Sequence, residues 1–248
     1  MNLLIDIGNS RIKWAQQTKN ELHSFAGCKY KKDDLSNSLS SYWDNISRPE
    51  NVYVSNVAGV NVFTELSEIV STAWSISAEQ IQVGAEAAGI VNGYDDYSQL
   101  GVDRWLAMIG AWDNYKGAFC VVDCGTALTI DMVLASGQHQ GGFIVPGISL
   151  MTELLNAGTE QINAQTRISV RPELGRNTRD CVSNGASLAV RALIDSVFAD
   201  VKKDQGVASH CIITGGYAGE IRHLLATDVD YHPHLVLNGM AIFISVSS

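Results

Sequence analysis

Two short stretches of this chain carry residues that could hold phosphate. Leu3-Leu4-Ile5-Asp6-Ile7-Gly8-Asn9-Ser10 runs straight into Arg11-Ile12-Lys13-Trp14-Ala15. At mid-chain, Cys120-Val121-Val122-Asp123-Cys124-Gly125-Thr126 runs into Ala127-Leu128-Thr129-Ile130-Asp131-Met132. Each is an apolar strand-like run, an Asp-x-Gly-Asn/Thr turn, and a second strand-like run. The turn presents one carboxylate and a stretch of backbone N–H groups, and its glycine lets a phosphate approach closely. In the first copy Lys13 adds a point charge. Asp6 could organise a hydrated Mg2+, an ion that takes few carboxylates and keeps its waters. The second copy has no basic residue playing the part of Lys13. Asp-x-Gly-Asn is also common turn chemistry, so either copy alone could be an ordinary hairpin. The repetition is what favours phosphate.

Leu100-Gly101-Val102-Asp103-Arg104-Trp105 opens a helical pattern. Aspartate is favoured at a helix start, which accounts for Asp103 without any function. It does not account for Arg104, whose charge opposes the helix dipole there. An arginine so placed suits an anion beside the helix N-terminus, and Asp103 then becomes a candidate base for a substrate hydroxyl. In Gly141-Gly142-Phe143-Ile144-Val145-Pro146-Gly147 the glycines allow a bulge and a tight turn into a helix, or leave a smooth floor for a ligand. Thr178 stands before the longest helical stretch, as an N-cap or a substrate contact. Gly215-Gly216 breaks a strand and would also suit a flat adenine surface. His232-Pro233-His234 lacks an acidic or cysteine partner and reads as surface loop; Cys120 and Cys124 lack the spacing of a zinc site.

The elements that must position these residues form an α/β pattern. Strands are expected at 2–7, 11–16, 21–26, 52–57, 119–122, 126–133, 141–145 and 211–214. Residues 31–47 read as helix or loop, and helices are expected at 62–70, 102–112, 148–157, 178–201 and 235–246. A loop at Asp113-Asn114-Tyr115-Lys116-Gly117 divides the chain into halves 1–114 and 115–248. The helix over 178–201 carries an apolar face at Val190, Leu193, Ile194, Val197 and Val201. Such a face packs inside its own subunit or against a second copy.

Composition narrows the partners. The chain has 248 residues, 46% hydrophobic and 17% charged, with net charge −9. An acidic field disfavours nucleic acid and anionic membrane. No apolar run of about 18 residues suggests a membrane span, and the immediate entry into an acidic strand does not suggest a signal peptide. Five cysteines, an odd number, point to reduced thiols and a cytoplasmic setting.

Taken in order, Asp6-Ile7-Gly8-Asn9-Ser10, Gly101-Val102-Asp103-Arg104, Asp123-Cys124-Gly125-Thr126 and Gly141-Gly142-x-Ile144-x-Pro146-Gly147 resemble the type III pantothenate kinase family. The resemblance spans nearly the whole chain, from Asp6 to Asn238-Gly239. It implies the fold of the acetate and sugar kinases, heat-shock 70 proteins and actin: two similar ribonuclease-H-like (actin-like ATPase) halves facing a nucleotide cleft. The activity implied is ATP-dependent phosphorylation of pantothenate to 4'-phosphopantothenate, the first step toward coenzyme A. Asp6, Ile7, Gly8, Asn9, Ser10, Arg11, Ile12 and Lys13 then form the ATP phosphate loop, with Thr126 as a further ATP contact. Asp103 is the implied catalytic base. Tyr94, Gly101, Val102, Asp103, Arg104 and Thr178 form the implied pantothenate site, with Arg104 on the carboxylate. Asp123 is the implied ligand of a monovalent cation, K+ or NH4+, and Mg2+ accompanies ATP. The family resemblance also implies a homodimer whose pocket is shared across the interface, and it favours the helix over 178–201 at or near that contact. One departure stands out: members usually carry a proline shortly after the tyrosine, whereas Asp95-Asp96-Tyr97-Ser98-Gln99 has none. Without a residue that fixes φ, this pocket wall is expected to be more mobile.

Two other readings compete. A different kinase or phosphatase of the same superfamily keeps the Asp6 and Asp123 turns but does not need Gly101-Val102-Asp103-Arg104. A non-catalytic accessory or regulatory protein would be free to lose part of the set Asp6, Lys13, Asp103, Arg104, Asp123 and Thr126, all of which are present.

Overall fold

The computed structural model describes every residue except 20, 31–34, 45, 158–172, 206–208 and 248. It divides into two compact units, Met1–Asp113 with Leu235–Ser248, and Asn114–His234.

The first unit begins with β1 (Asn2–Ile7), β2 (Arg11–Thr18) and β3 (Glu21–Lys29), an antiparallel meander. Then come α1 (Leu35–Trp43), β4 (Asn51–Asn56), α2 (Val60–Trp74) and β5 (Ala78–Gln80). A short hairpin, β6 (Glu86–Ala87) and β7 (Ile90–Val91), and a 3-10 turn at Tyr97–Gln99 lead into α3 (Val102–Asn114). The sheet order is β3-β2-β1-β4-β5, with β4 parallel to β1 and β5 parallel to β4. Central β1 carries consecutive apolar residues, Leu3-Leu4-Ile5, because both its faces are covered. Leu3, Ile5 and Ile7 join one core with Val62, Leu66, Val70 and Trp74 of α2. The i, i+4 spacing of those four residues gives α2 a single buried face. Glu65 of α2 accepts the Leu35 N–H at 3.1 Å and so caps α1. By strand alternation Asp6 lies on the face opposite Ile5 and Ile7, the face shared with Leu4.

The second unit repeats the plan. β8 (Phe119–Cys124), β9 (Ala127–Val133) and β10 (His139–Pro146) form the meander. They are followed by α4 (Ile148–Ala157), α5 (Thr178–Gln205), β11 (His210–Thr214), α6 (Ala218–Ile221) and β12 (Asp230–Tyr231). The order β10-β9-β8-β11-β12 matches the first sheet strand for strand, again with two parallel additions beside the first strand. A buried pair, His139 Nε2 to Asp131 Oδ1 at 2.9 Å, fastens β9 to β10 beside the register shift between His139 and Gly142. The final helix, α7 (Leu235–Ser247), packs on β1 and β2 of the first unit. Its Gly239 comes so close to the Leu106 carbonyl of α3 that a Cβ could not fit, and a Cβ on Gly110 would lie 2.6 Å from the Leu235 carbonyl. Two glycines thus let α3 and α7 meet backbone to backbone. The sequence reading put this helix in the half 115–248; its contacts group it with the first unit instead.

Two further expectations change. The apolar face of α5 lies inside its own unit: Val190, Ile194 and Phe198 belong to the core with Cys120, Val122 and Ile213, Leu193 and Val197 pack against it, and Val201 is buried. His232 is more than a loop residue. Its N–H extends the β12 edge to the Ile213 carbonyl at 3.0 Å, and its Nε2 meets the Tyr115 hydroxyl at 2.8 Å.

Candidate active site

The first Asp-x-Gly turn joins β1 to β2. Gly8 N–H donates to the Arg11 carbonyl at 3.0 Å, leaving Asn9 and Ser10 at the exposed tip. The Tyr30 hydroxyl donates to the Gly8 carbonyl at 2.7 Å and holds the turn from beside it. Burial pushes the Tyr30 phenol above its ordinary pKa, so it stays a donor. Asp6, buried, sits directly across the hairpin from Lys13. The stem of Lys13 runs over Gly27 of β3, where a Cβ would lie 3.2 Å from Lys13 Cγ. On its other side Asp6 is paired in register with Ser55 of β4, and the Ser55 hydroxyl donates to Asp6 Oδ1 at 3.1 Å. Ser55 is fully buried and was missed in the sequence reading. A small polar residue on the strand Val52-Tyr53-Val54-Ser55-Asn56 is the signal that could have found it.

Gly101, Asp103, Arg104 and Tyr94 come together at the start of α3. The Trp105 N–H donates to the Gly101 carbonyl at 3.0 Å, the first turn of the helix. Asp103 Oδ1 accepts the Arg104 N–H at 2.8 Å. A Cβ on Gly101 would lie 2.7 Å from that oxygen, so a larger residue there would push the carboxylate aside. Arg104 is buried, 6% exposed, and its Nη1 donates to the Tyr94 hydroxyl at 2.7 Å. A buried guanidinium is costly unless its donors are used, so Arg104 is fixed in direction. The wall carrying Tyr94 lacks the expected proline but has another brace. Asp96 Oδ1 accepts from Ser98 N at 3.0 Å and Ser98 Oγ at 2.6 Å, and Oδ2 accepts from Gln99 Nε2 at 3.2 Å. Those hydrogen bonds, the Ser98 hydroxyl first, hold the Asp96 carboxyl below its ordinary pKa.

In the second unit three glycine motifs meet at one turn. Asp123 ends β8 and lies across the hairpin from Thr129. Gly125 N–H donates to the Ala127 carbonyl at 3.1 Å, and Gly147 N–H to the Thr126 carbonyl at 2.9 Å. Gly215, with φ +99°, approaches so near that a Cβ would strike Asp123 Oδ1 and lie 2.5 Å from Cys124 N. Gly147 is as close to the Gly125 carbonyl. Gly125-Thr126, Pro146-Gly147 and Gly215-Gly216, far apart in sequence, therefore build one glycine-lined cradle around a half-buried carboxylate. The neighbouring Cys120, Cys124 and Cys211 are free thiols. Burial raises all three, Cys211 to about 11, which keeps them protonated and unreactive. Thr178 opens α5 with an exposed side chain, but it is not the cap. Asn177 is: its Oδ1 accepts the Asp180 N–H at 2.9 Å and its Nδ2 donates to Asp180 Oδ2 at 2.7 Å.

Donor chemistry fits the ions expected here. An ion that binds mainly through water needs one carboxylate at the phosphate turn, and Asp6 supplies it. A cradle that a Cβ would fill surrounds Asp123, leaving its oxygen beside small glycine backbone. Among the described residues, no group of three or more His, Cys, Asp or Glu forms a metal cluster, and no helix is long and apolar enough to cross a membrane.

Residues 2–200 match the family described as type III pantothenate kinase. A type III pantothenate kinase from Nitrosococcus oceani is 36% identical over 246 residues, covering 97% of this chain and 92% of the relative. Among solved structures, a protein described as a conserved Baf family transcriptional activator from Campylobacter jejuni superposes with TM-score 0.57 at 20% identity, covering 98% of this chain and 97% of that one. A Listeria monocytogenes protein described as an N-acetylmannosamine kinase superposes with TM-score 0.50 at 12% identity, covering 100% and 99%. At such identities these two likenesses concern the fold alone: two ribonuclease-H-like halves of the actin-like ATPase and sugar kinase type. The full-length similarity says more, and by it the chain belongs to the type III pantothenate kinase family.

Proposed function

We propose that this protein transfers the γ-phosphoryl group of ATP to the primary hydroxyl of pantothenate, giving 4'-phosphopantothenate, the first step toward coenzyme A. Beside the family membership, one observation carries the reading. A carboxylate, Asp103, and a buried, tyrosine-braced guanidinium, Arg104, stand next to each other at the start of one helix. A substrate with a hydroxyl at one end and a carboxylate at the other needs that pair.

Phosphoryl transfer depends on positioning and charge more than on covalent help. Residues Asp6 to Lys13 hold the ATP phosphates, the turn N–H groups lying against oxygen and Lys13 adding charge; Thr126 is a further ATP contact. Arg104 and Tyr94 take the pantothenate carboxylate, and Gly101, Val102 and Thr178 complete that site. Asp103 aligns the hydroxyl and accepts its proton as the oxygen attacks phosphorus. A carboxylate of ordinary basicity suffices, because the transition state is loose and the proton can leave late. Asp6 would hold Mg2+ through water, and Asp123 a monovalent cation, K+ or NH4+. When bound, these ions supply positive charge against the phosphates.

We also place the protein in the cytoplasm as a homodimer. The odd cysteine count supports the first. Exposed apolar side chains on the second unit support the second, since Leu154 and Leu188 are 58% and 50% exposed. The test of the activity is direct: purified protein with ATP, Mg2+, K+ and pantothenate, assayed for the phosphorylated product. Absence of product under these conditions, or equal phosphorylation of sugars and other alcohols in a panel of acceptors, would overturn the assignment.

A further inference from the structure

Tyr94 is held in place by a residue that belongs to neither the helix nor the phosphate turns. Asn92 Oδ1 accepts the Tyr94 N–H at 3.0 Å. Its Nδ2 donates to the Gly84 carbonyl and to the Tyr97 carbonyl, each at 3.3 Å. Its own N–H donates to the Ala85 carbonyl at 2.8 Å. One side chain therefore ties together the segment entering β6, the turn at Tyr94 and the 3-10 turn at Tyr97. Only an amide could do this, since the task needs one acceptor and two donors on one short, rigid fork. The hairpin that Asn92 closes is itself seated on α3. Gly89 has φ +88°, and the Trp112 indole occupies the space a Cβ would fill. Arg104 and Trp112 are about 12 Å apart along α3 at 1.5 Å per residue. The segment is thus fixed to the helix at two places, Gly89 against Trp112 and Tyr94 against Arg104, with Asn92 setting the span between them.

We propose that Asn92 is a positioning residue that sets pantothenate affinity by holding the Tyr94 hydroxyl against Arg104. This role rests on Tyr94 and Arg104 being the contacts for the substrate carboxylate. Loss of the Asn92 side chain frees the Tyr94 backbone, and the hydroxyl moves off Arg Nη1. The guanidinium then loses the hydrogen bond to that hydroxyl. Chemistry at Asp103 and ATP binding use other residues, so the change falls on one Michaelis constant.

The experiment compares kcat, KM for pantothenate, KM for ATP and Tm in the wild type, Asn92→Ala, Asn92→Asp and Tyr94→Phe. Asn92→Ala should raise KM for pantothenate roughly tenfold, the size of one or two lost hydrogen bonds. Its kcat and KM for ATP should stay within about twofold, with Tm little changed. Asn92→Asp keeps the size and the acceptor for Tyr94 but loses both donors. It should show a smaller rise of the same kind, and it carries the test if the alanine variant does not fold. A raised KM for pantothenate in Tyr94→Phe with none in either Asn92 variant overturns the role of Asn92 and leaves the pocket standing. An unchanged KM in Tyr94→Phe overturns both. A parallel rise in the two Michaelis constants with a lower Tm marks a general structural role and also overturns the proposal.

Discussion

Asp103 and Asp123 are both aspartates near glycines, yet their surroundings differ, and the proposed roles differ with them. Asp103 shares a helix start with a buried arginine, and its Oδ1 is held by the Arg104 N–H at 2.8 Å. That fixes the carboxylate without removing its capacity to take a proton. Asp103→Asn keeps the size and removes the basicity, so kcat should fall by about a hundredfold or more while ATP affinity stays near normal. Near-normal turnover in this variant, with nucleotide binding measured by calorimetry, would remove Asp103 from the role of base. Asp123 differs from its counterpart in the first copy. Asp6 faces Lys13 across its hairpin, whereas Asp123 faces Thr129. A carboxylate near phosphate repels it, and a small cation held between them offsets that repulsion. Activity should therefore depend on K+ or NH4+, and Asp123→Ala should flatten that dependence. Equal rates in sodium-only and potassium buffers, or an unaltered potassium response in the variant, would count against the assignment.

The elements that the sequence announced are those with a pattern of their own. The hairpins of both sheets, the long helices and the apolar β11 combine apolar runs or 3.6-residue spacing with turn residues at their ends, and all of them form. β5, β6, β7 and β12 were not legible. Each is two or three residues long, and such a strand is defined by its neighbour's hydrogen bonds, not by alternation of its own side chains. The site divides the same way. The Asp turns and Gly101-Val102-Asp103-Arg104 combine residue types that fold rules alone do not require, so they could be read. Asn92 and Asp96 are ordinary loop residues until the backbone they bind is known. Asp96 shows what that binding does for its segment. It lies in the segment 95–99 that lacks a proline, and three hydrogen bonds from Ser98 and Gln99 brace that segment. They hold its pKa below the ordinary 3.8, so its bracing is complete above that value and is lost as pH falls through the lowered pKa. The Ser98 amide shift, followed by NMR against pH, should titrate below 3.8. A midpoint at or above 3.8 would show that the brace is absent. At neutral pH, Asp96→Asn should raise KM for pantothenate by roughly threefold, since a neutral acceptor bonds more weakly than a charged one.

At the scale of the whole molecule, the sheet order is repeated and the connections are not. The first unit receives its last helix from the far end of the chain, through the glycine contacts of α3 and α7. The second unit spends the apolar face of its longest helix on its own core. Periodicity revealed which residues of α5 would be buried but not against what, because core and interface make the same demand on a helix. A homodimer therefore cannot use Val190, Ile194 or Phe198, which are already enclosed. Among the large apolar side chains the second unit leaves to solvent are Phe143 and Ile144 on β10, Leu154 and Leu155 on α4, Leu174, and Leu188 on the other side of α5; the two helices carry the candidates for pairing. Isolated apolar side chains on a surface are common, so exposure alone does not make an interface. Two-fold pairing of these helices would bury each leucine twice, once per subunit, which is how a small patch gains weight in a symmetric contact. Light scattering should then give a mass near 54 kDa, twice the 26.8 kDa chain. Leu188→Glu should shift that mass toward the monomer with the fold kept, as judged by circular dichroism, and should lower activity if the pocket is shared between subunits. Ile194→Glu should instead unfold the second unit, since it buries a charge without a partner. A fully active wild-type protein at the monomer mass would sink both the dimer and the shared pocket, whereas a dimer indifferent to Leu188→Glu and to Leu154→Glu would keep the pairing and move it to another face.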